Sequence, residues 1–474
     1  MLAAQCVVLP GARRLGHHYS ASPVSESPLP QGKSGPGAAF HHLSARWDQV
    51  DPVASSLPRI RSARNQLLDV FRSALAAVNG ATRVSAFLRT HPLSGTVYVI
   101  AMGKAACPMA RAAGEVLGVQ IGDAWVVTKY GHAEHLPWPV LEAGHPLPDE
   151  HSIEAGTRLL EFVRNLPPDA SVLVLLSGGA SALVECPVRG IGLDQLRAVN
   201  EWLLAAGLEI GAMNAVRKRL SRIKSGRLAG LLAPRSVLCL AVSDVPGNDI
   251  ATIGSGLLVR DERVAAPLPV PMPSGLRALI EGAVEPGDPA PSAFEHIRYH
   301  VIATLEDAMQ AAAAAARGLG YGAQIHVPLI AGDAVENGRQ IARTLLGAPE
   351  SVMHIWGGET NVRLPPRPGR GGRNQSLALA AARLLCRHSD ALLLAAGTDG
   401  SDGPGRDAGA LVDGGTIARG RAAGLDPEVA ISNADAGSFL EASSDLLYTG
   451  PTGTNVADLV LGLKSGSGEM RVDP

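Results

Sequence analysis

The sequence predicts an α/β protein of two domains, the first of them a doubly wound parallel sheet. Short, wholly apolar runs such as Val97–Ala101, Val172–Leu176 and Ala391–Ala396 alternate with helix-length amphipathic segments, the alternation of a parallel sheet covered by helices. Each of those runs ends directly in a glycine-broken polar cluster: Met102-Gly-Lys, Ser177-Gly-Gly-Ala-Ser-Ala-Leu and Gly397-Thr-Asp-Gly-Ser-Asp-Gly-Pro. Open α/β sheets bind ligands at the carboxyl ends of their strands, where glycine lets the backbone approach an anion. A Pro-rich break over residues 265–291 divides the pattern, and a 474-residue chain is long enough for two such units.

Residues 1–55 stand outside the fold as a disordered or targeting-like extension. Met1–Arg46 holds Arg13, Arg14, Lys33 and Arg46 against a single acid, Glu26, with five prolines by Pro36. Organelle-targeting peptides share that acid-poor composition, but no amphipathic helix is evident, so a plain extension is preferred. A helix then opens the folded part, with Leu67, Phe71, Ala74, Leu75 and Val78 at helical spacing and Asn79-Gly80 stopping it. Strands at Thr96–Ala101 and Ala124–Thr128 flank a helix at Ala105–Leu117. A helix at His151–Leu166 leads to the strand Val172–Leu176, and helices at Asp194–Gly207 and Asn214–Leu232 lead to the strand Val237–Val242. The first domain is drawn over 56–290. The second, 296–474, opens with a strand at His300–Ala303 and a helix at Glu306–Gly318. Strands at Ala323–Val327 and Val352–Trp356, a helix at Gln375–His388, the strand Ala391–Ala396 and a closing helix from Asn455 complete it.

Composition excludes several classes. The chain is 46% hydrophobic and 18% charged with a formal net charge of −2, a globular balance with no field favouring nucleic acid or anionic lipid. Aromatics are only 4%, too few for a base-stacking platform. No apolar run reaches the roughly 18 residues of a membrane span. Cys6, Cys107, Cys186, Cys239 and Cys386 show no metal-ligand or redox spacing, which fits reduced thiols in a cytoplasmic compartment, or a mitochondrial one if Met1–Arg46 is a transit peptide.

The chemistry gathers in the polar clusters. Lys104 stands where a strand gives way to a helix, able to reach a phosphate held at that turn; as a plain first-turn lysine it would oppose the helix dipole. Ser177, Gly178, Gly179 and Ser181 have the makings of an anion nest, or of a tight strand-to-helix turn. Asp244, ending a strand, suits a metal, a hydroxyl proton or an Asx-turn. Glu359 in Trp-Gly-Gly-Glu-Thr is a further acid after a strand, or a carboxylate turned to solvent. Arg373, followed by Asn374 and Gln375 at a helix start, is the residue type for bidentate phosphate or carboxylate recognition. Asp399 and Asp402 on one glycine loop suit Mg²⁺, which takes one or two carboxylates plus substrate phosphates. Lys218 and Arg222 read as a solvated helix face, and Arg217 as an anion clamp only in the right family context. No Walker A loop and no G-x-G-x-x-G fingerprint occurs.

In this order the motifs resemble the class II glycerate kinases, the glycerate 2-kinase family with a MOFRL C-terminal domain. The likeness runs from about Gln66 to Leu461. It includes Met102-Gly-Lys-Ala-Ala, Val127-Thr-Lys-Tyr-Gly-His, Gly144-His-Pro-Leu-Pro-Asp and Ser177-Gly-Gly-Ala-Ser-Ala-Leu, then Asn214-Ala-Val-Arg-Lys and Ser243-Asp-Val-Pro-Gly-Asn-Asp. Gly357-Gly-Glu-Thr, Gly372-Arg-Asn-Gln, the Gly397–Pro404 loop and Thr449-Gly-Pro-Thr-Gly-Thr-Asn-Val follow. The resemblance implies a Rossmann-like first domain, a MOFRL-type second domain and an active site in the cleft between them. It implies an ATP-dependent, Mg²⁺-requiring kinase that turns D-glycerate into 2-phosphoglycerate. Lys104 and Arg373 match the family's essential cations. Asp244, Glu359, Asp399 and Asp402 match its acids, with Asp244 as the group that takes the hydroxyl proton and the others as metal ligands. Ser177, Gly178, Gly179, Ser181 and Asn374 are the expected nucleotide contacts.

The sequence departs from the family at Ala303-Thr304-Leu305, Lys224-Ser225-Gly226, Ile253–Leu257, Asn433–Gly437 and Asn374-Gln-Ser376. Two rivals stay open: an NAD(P)H-dependent hydroxypyruvate reductase, and a non-catalytic nucleotide or hydroxy-acid binder. Either way the expected partners are a nucleotide and a small hydroxy acid, with no nucleic acid and no membrane, and a homodimer is the assembly to test.

Overall fold

The structure, a computed structural model, describes residues 58–465 apart from 207, 209, 262–267, 269–271 and 284–286. The N-terminal extension and part of the Pro-rich boundary lie outside the described residues.

The chain begins with α1 (Pro58–Ala77) and α2 (Gly80–Thr90), followed by β1 (Val97–Met102), α3 (Ala106–Leu117), β2 (Ile121–Lys129) and β3 (Val140–Ala143). Next come α4 (Glu150–Asn165), β4 (Ser171–Leu176), α5 (Ala180–Leu183), α6 (Leu193–Ala205), α7 (Ile210–Arg219) and α8 (Arg227–Leu232). β5 (Ser236–Val242), α9 (Ser274–Glu281) and β6 (Ile297–Ala303) complete the first sheet. Its six strands are all parallel, in the order β3-β2-β1-β4-β5-β6. That is the order of doubly wound dinucleotide folds, whose direction reverses between the first and fourth strands.

Both faces are buried, which is why these strands read as continuous apolar runs. Val97, Val99, Ala101, Leu173, Leu175, Leu238 and Leu240 pack on one side with α1, α2 and α3. Ile100, Met102, Val172, Val174, Leu176, Cys239 and Ala241 pack on the other with α4, α5 and α8. A fully buried leucine or valine contributes about 1.5–3 kcal/mol, so strand position is set by apolar burial on two faces at once.

The second part runs α10 (Leu305–Gly318), β7 (Gly322–Ile325), β8 (Ile330–Asp333), α11 (Ala334–Gly347), β9 (Val352–Asn361), α12 (Arg373–Leu385) and β10 (Ala391–Gly397). Then follow β11 (Gly409–Asp413), α13 (Thr416–Ala422), α14 (Pro427–Ser432), α15 (Ala436–Ala442), β12 (Leu446–Leu447) and β13 (Asp458–Lys464). The sheet is mixed, in the order β12-β11-β10-β13-β9-β7, with β8 also on β9. β13 lies antiparallel between β10 and β9.

Three expectations change. The strand foreseen at His300–Ala303 does not open the second unit; β6 pairs parallel with β5 as the edge of the first sheet, so the first sheet extends past the boundary drawn at 290–296. The helix foreseen from Asn455 is the strand β13. Leu459, Leu461 and Leu463 face one core and Val460 the other, and a run buried on both faces has no one-sided periodicity to tell strand from helix. The single helix foreseen over Asn214–Leu232 is two, α7 and α8. Between them Ser225 and Gly226 take left-handed φ of 56° and 77°, and the Arg222 N–H donates to Cys186 O at 2.7 Å.

α1 belongs with the second sheet as much as the first. Its apolar face shares one core with Leu392, Leu394, Leu459 and Leu461. Arg64, 5% exposed, donates to Asp413 Oδ2 at 2.5 Å and Asp445 Oδ1 at 3.0 Å. At Ala303-Thr304-Leu305, where the family pattern is absent, Thr304 caps α10: its hydroxyl accepts the Asp307 N–H at 3.2 Å, and Asp307 accepts the Thr304 N–H at 3.0 Å.

Candidate active site

At the switch point of the first sheet the loops after β1 and β4 lie side by side. The Gly103 backbone has φ +117°, and a Cβ there would fall 2.3 Å from Ser177 O, so only glycine lets the loops close. They are then stitched together: Ser177 N–H donates to Met102 O at 3.0 Å, Lys104 N–H to Gly178 O at 2.9 Å, and Ala105 N–H to Ser177 Oγ at 3.0 Å. Ser177 is fully buried. Its hydroxyl fastens the loop rather than facing a ligand, and Ser181 is likewise engaged with Ser255 at 2.7 Å.

Lys104 leaves this turn and meets the second sheet's loop. Its Nζ donates to Asp399 Oδ2 at 2.6 Å, across 295 residues of sequence. Asp399 also accepts the Ser401 N–H on Oδ1 at 2.8 Å and the Ser401 hydroxyl on Oδ2 at 3.0 Å. Burial alone would favour a neutral lysine, but Asp399 outweighs it and keeps the ammonium charged. Burial works against the carboxylate too, and Lys104 overrides it to hold Asp399 well below the usual carboxylate range.

At Gly178 three segments touch. A Cβ there would lie 1.9 Å from both Asp244 Oδ2, just after β5, and Asn455 Nδ2, ahead of β13. Asn455 donates to that same Asp244 oxygen at 2.8 Å. Burial raises the Asp244 pKa, with Lys104 pulling the other way.

Arg373, the first residue of α12, forks onto Asp458: Nε to Oδ2 at 2.6 Å and Nη2 to Oδ1 at 3.0 Å. Its Nη1 meets Glu359 Oε1 at 2.6 Å. Asp458 is 1% exposed, whereas the Arg373 side chain is 34% exposed, so a buried acid aims a partly open cation.

Asp402 turns elsewhere. It accepts the N–H groups of Asn374 at 3.1 Å on Oδ1 and of Gln375 at 2.8 Å on Oδ2, which makes it the cap of α12. Burial, then Asp458, push its pKa up to about 7. Asn374 is buried and its side chain also points to Asp402, at 3.4 Å. The expectations of Asp402 as metal ligand and Asn374 as nucleotide contact therefore meet two groups occupied with each other. Among the described residues, no group of three or more His, Cys, Asp or Glu side chains is arranged to hold a metal by itself.

Charges assigned to a solvated face fare unevenly. Arg222 is exposed, but Lys218 is fully buried, donating to Ala251 O at 2.7 Å and paired with Asp261. Lys224 pairs with buried Glu185 at 2.5 Å. Arg217 Nε donates to Asn200 at 2.8 Å.

Sequence reasoning missed Asp458 as a site residue, because the segment holding it read as a helix. Asn455, Lys129 and His145 lie inside the motifs given above, with no role that their sequence context alone assigns. A lone aspartate ahead of an apolar run carries no local signal; only strand pairing with Gly397 and Gly358 brings Asp458 to Arg373.

Comparison with known proteins adds independent findings. Residues 66–268 match the family described as a domain of unknown function, DUF4147, and residues 352–458 match the MOFRL family. The chain is 39% identical to a D-glycerate 2-kinase of Thermotoga maritima, over 77% of this chain and 90% of that protein. It is 37% identical to an Agrobacterium vitis protein named "putative hydroxypyruvate reductase", over 84% of this chain and 94% of the other. A crystal structure of glycerate kinase from Thermotoga maritima superposes with a TM-score of 0.71 at 36% identity, covering 85% of this chain and 99% of that one. Among the described residues no helix is long and apolar enough to cross a membrane.

Proposed function

We propose that this chain, which belongs to the glycerate 2-kinase family, transfers the γ-phosphoryl group of ATP to the 2-hydroxyl of D-glycerate. The observation that carries the reading is the Lys104–Asp399 pair at 2.6 Å, which joins the switch point of one sheet to an acid-bearing loop of the other. Phosphoryl transfer asks chiefly for positioning and for charge stabilisation. Lys104 and Arg373 are the two cations that would meet the transferring group, one from each sheet. Each is held by a carboxylate, Lys104 by Asp399 and Arg373 by Asp458.

The donor chemistry fits Mg²⁺. The ion favours hard oxygen ligands and uses few protein carboxylates beside substrate phosphates, and Asp399, with Glu359 near Arg373, would hold it. When bound with ATP it would neutralise the charge between β- and γ-phosphates. Asp244, raised by burial, suits a base: it would take the proton of the 2-hydroxyl as that oxygen bonds to the γ-phosphorus and the bond to the bridging oxygen of ADP breaks. Asn455 holds that carboxylate in place. Asp458 aims Arg373, and Asp402 fixes the start of the helix that carries it. The Ser177–Ser181 loop would contribute to the nucleotide site through its backbone, since its hydroxyls are engaged.

The reductase reading draws on the Agrobacterium vitis relative's name and on the dinucleotide-type strand order. Against it stands the Lys104–Asp399 pair at the point where a pyrophosphate would rest. Phosphorus NMR of the wild-type chain with ATP, Mg²⁺ and racemic glycerate tests the proposal, the expected product being 2-phosphoglycerate with ADP. Loss of NADH absorbance with hydroxypyruvate, and no ADP from glycerate, would replace it by the reductase.

A further inference from the structure

The loops after β2 and β3 are not used by this mechanism, although they border the same switch point. β2 is the neighbour of β1 on the side away from β4. Lys129, its last residue, therefore brings a second ammonium alongside Lys104. Among the described residues its hydrogen bond is to Ser401 Oγ at 3.4 Å, and that hydroxyl is donated to Asp399. One carboxylate thus meets one ammonium directly and a second through the Ser401 hydroxyl.

Two histidines line the same corner. His132 Nδ1 lies 3.3 Å from Lys104 O; a carbonyl only accepts, so that nitrogen carries the proton. His145 Cδ2 and Nε2 lie 3.1 and 3.4 Å from the position of a Cβ on Gly179, and Lys104 Cγ lies 3.4 Å from it, so His145 and Lys104 flank one glycine. Burial, and then Lys104 and Lys129, keep His145 neutral, leaving it able to donate one N–H without adding charge. His145 also forms the wall of an open cavity of about 460 Å³ with Tyr130, Pro146 and Asp149.

Geometry selects the anion. Neighbouring strands stand about 4.8 Å apart, and Met102 pairs with Val127, so Lys104 and Lys129 leave the sheet from adjacent strand ends. In a 2-hydroxy acid the carboxylate is attached to the carbon that bears the reacting hydroxyl, so an acceptor whose hydroxyl lies beside Lys104 presents its carboxylate close by, toward the neighbouring strand end. On the kinase reading, the nucleotide phosphates would lie on the other side, toward the loop after β4 and Arg373.

We infer that Lys129, with Ser401 and His145 beside it, binds the carboxylate of the acceptor and makes the site select 2-hydroxy acids over neutral polyols. This rests on the kinase reading above. The test compares wild type with Lys129→Gln and Lys129→Arg, using D-glycerate, its neutral methyl ester and ATP as varied substrates. Losing a charge-assisted hydrogen bond should raise the KM for D-glycerate by about 10- to 100-fold. The KM for ATP should stay within about twofold, the preference for acid over ester should shrink by a similar factor to the glycerate effect, and Lys129→Arg should recover part of the loss. An active Lys129→Gln enzyme with unchanged acid preference, or one whose ATP KM rises instead, overturns the inference. If Lys129→Gln does not fold, His145→Gln is held to the same pattern. A wild type that releases no ADP refutes the kinase reading alone; calorimetry with D-glycerate then decides the subsite, weaker binding by Lys129→Gln supporting it and equal binding overturning it.

Discussion

Asp458→Asn isolates the aiming of Arg373 from its presence. The carboxylate takes two N–H donors, at 2.6 and 3.0 Å, and is 1% exposed beside an arginine that is 34% exposed. Asparagine keeps one acceptor oxygen, turns an NH₂ toward the other guanidinium nitrogen, and removes the charge. A hydrogen bond to a charged group is worth about 1.5–3 kcal/mol, and partial exposure of Arg373 moves the loss to the lower end, about 1–2 kcal/mol. Glu359, 2.6 Å from Nη1, still tethers the arginine, so the melting temperature should fall by a few degrees only. Turnover should suffer more. An arginine stabilising a transferring phosphoryl group contributes about 10³–10⁵ in rate, and a displacement near 1 Å forfeits about 10². Coupled ADP-release kinetics should therefore show kcat down about 100-fold, with the KM for ATP changed much less and Asp458→Glu intermediate. Turnover within threefold of wild type in a folded Asp458→Asn protein would refute the argument, leaving Asp458 a packing partner only.

Two further predictions follow from the same geometry. Gly178→Ala places a methyl group 1.9 Å from Asp244 Oδ2 and Asn455 Nδ2, so the Asp244–Asn455 bond must open; kcat should fall by about 100-fold, the cost of a displacement near 1 Å at the reacting groups, and wild-type turnover would contradict this. Because burial raises the Asp244 pKa and a base works only when ionised, kcat/KM should rise with pH through an apparent value above the ordinary aspartate figure of about 3.9. A profile flat down to pH 4 would remove Asp244 from that role.

The legible part of this fold was the part that buries two faces. β1, β2, β4 and β5 announced themselves as apolar runs ending in glycine and polar residues. The same property concealed β13, whose Leu459–Leu463 stretch shows no one-sided pattern, and with it Asp458. β6 followed a Pro-rich break and was assigned by position; its pairing with β5 is a long-range fact that no local pattern contains. Lys218 looked like surface charge because its partner, Asp261, is 43 residues away. In the site, Lys104, Asp244, Asp399 and Arg373 could be singled out from strand-end placement and residue chemistry. Asp402 could not be separated from Asp399, three residues earlier on the same loop: only the fold shows one carboxylate turned to an ammonium and the other to a helix start.

The central claim is that Lys104 acts on the transferring phosphoryl group rather than merely bridging two sheets. Lys104→Gln separates these, because the amide still donates to Asp399 while the charge is gone. Measured by ADP release from ATP, Mg²⁺ and D-glycerate beside a thermal melt, the variant should lose about 10²–10³ in turnover, the size seen when one preorganised donor to developing charge is removed, while melting within a few degrees of wild type. Wild-type turnover by the folded Lys104→Gln protein would contradict the account.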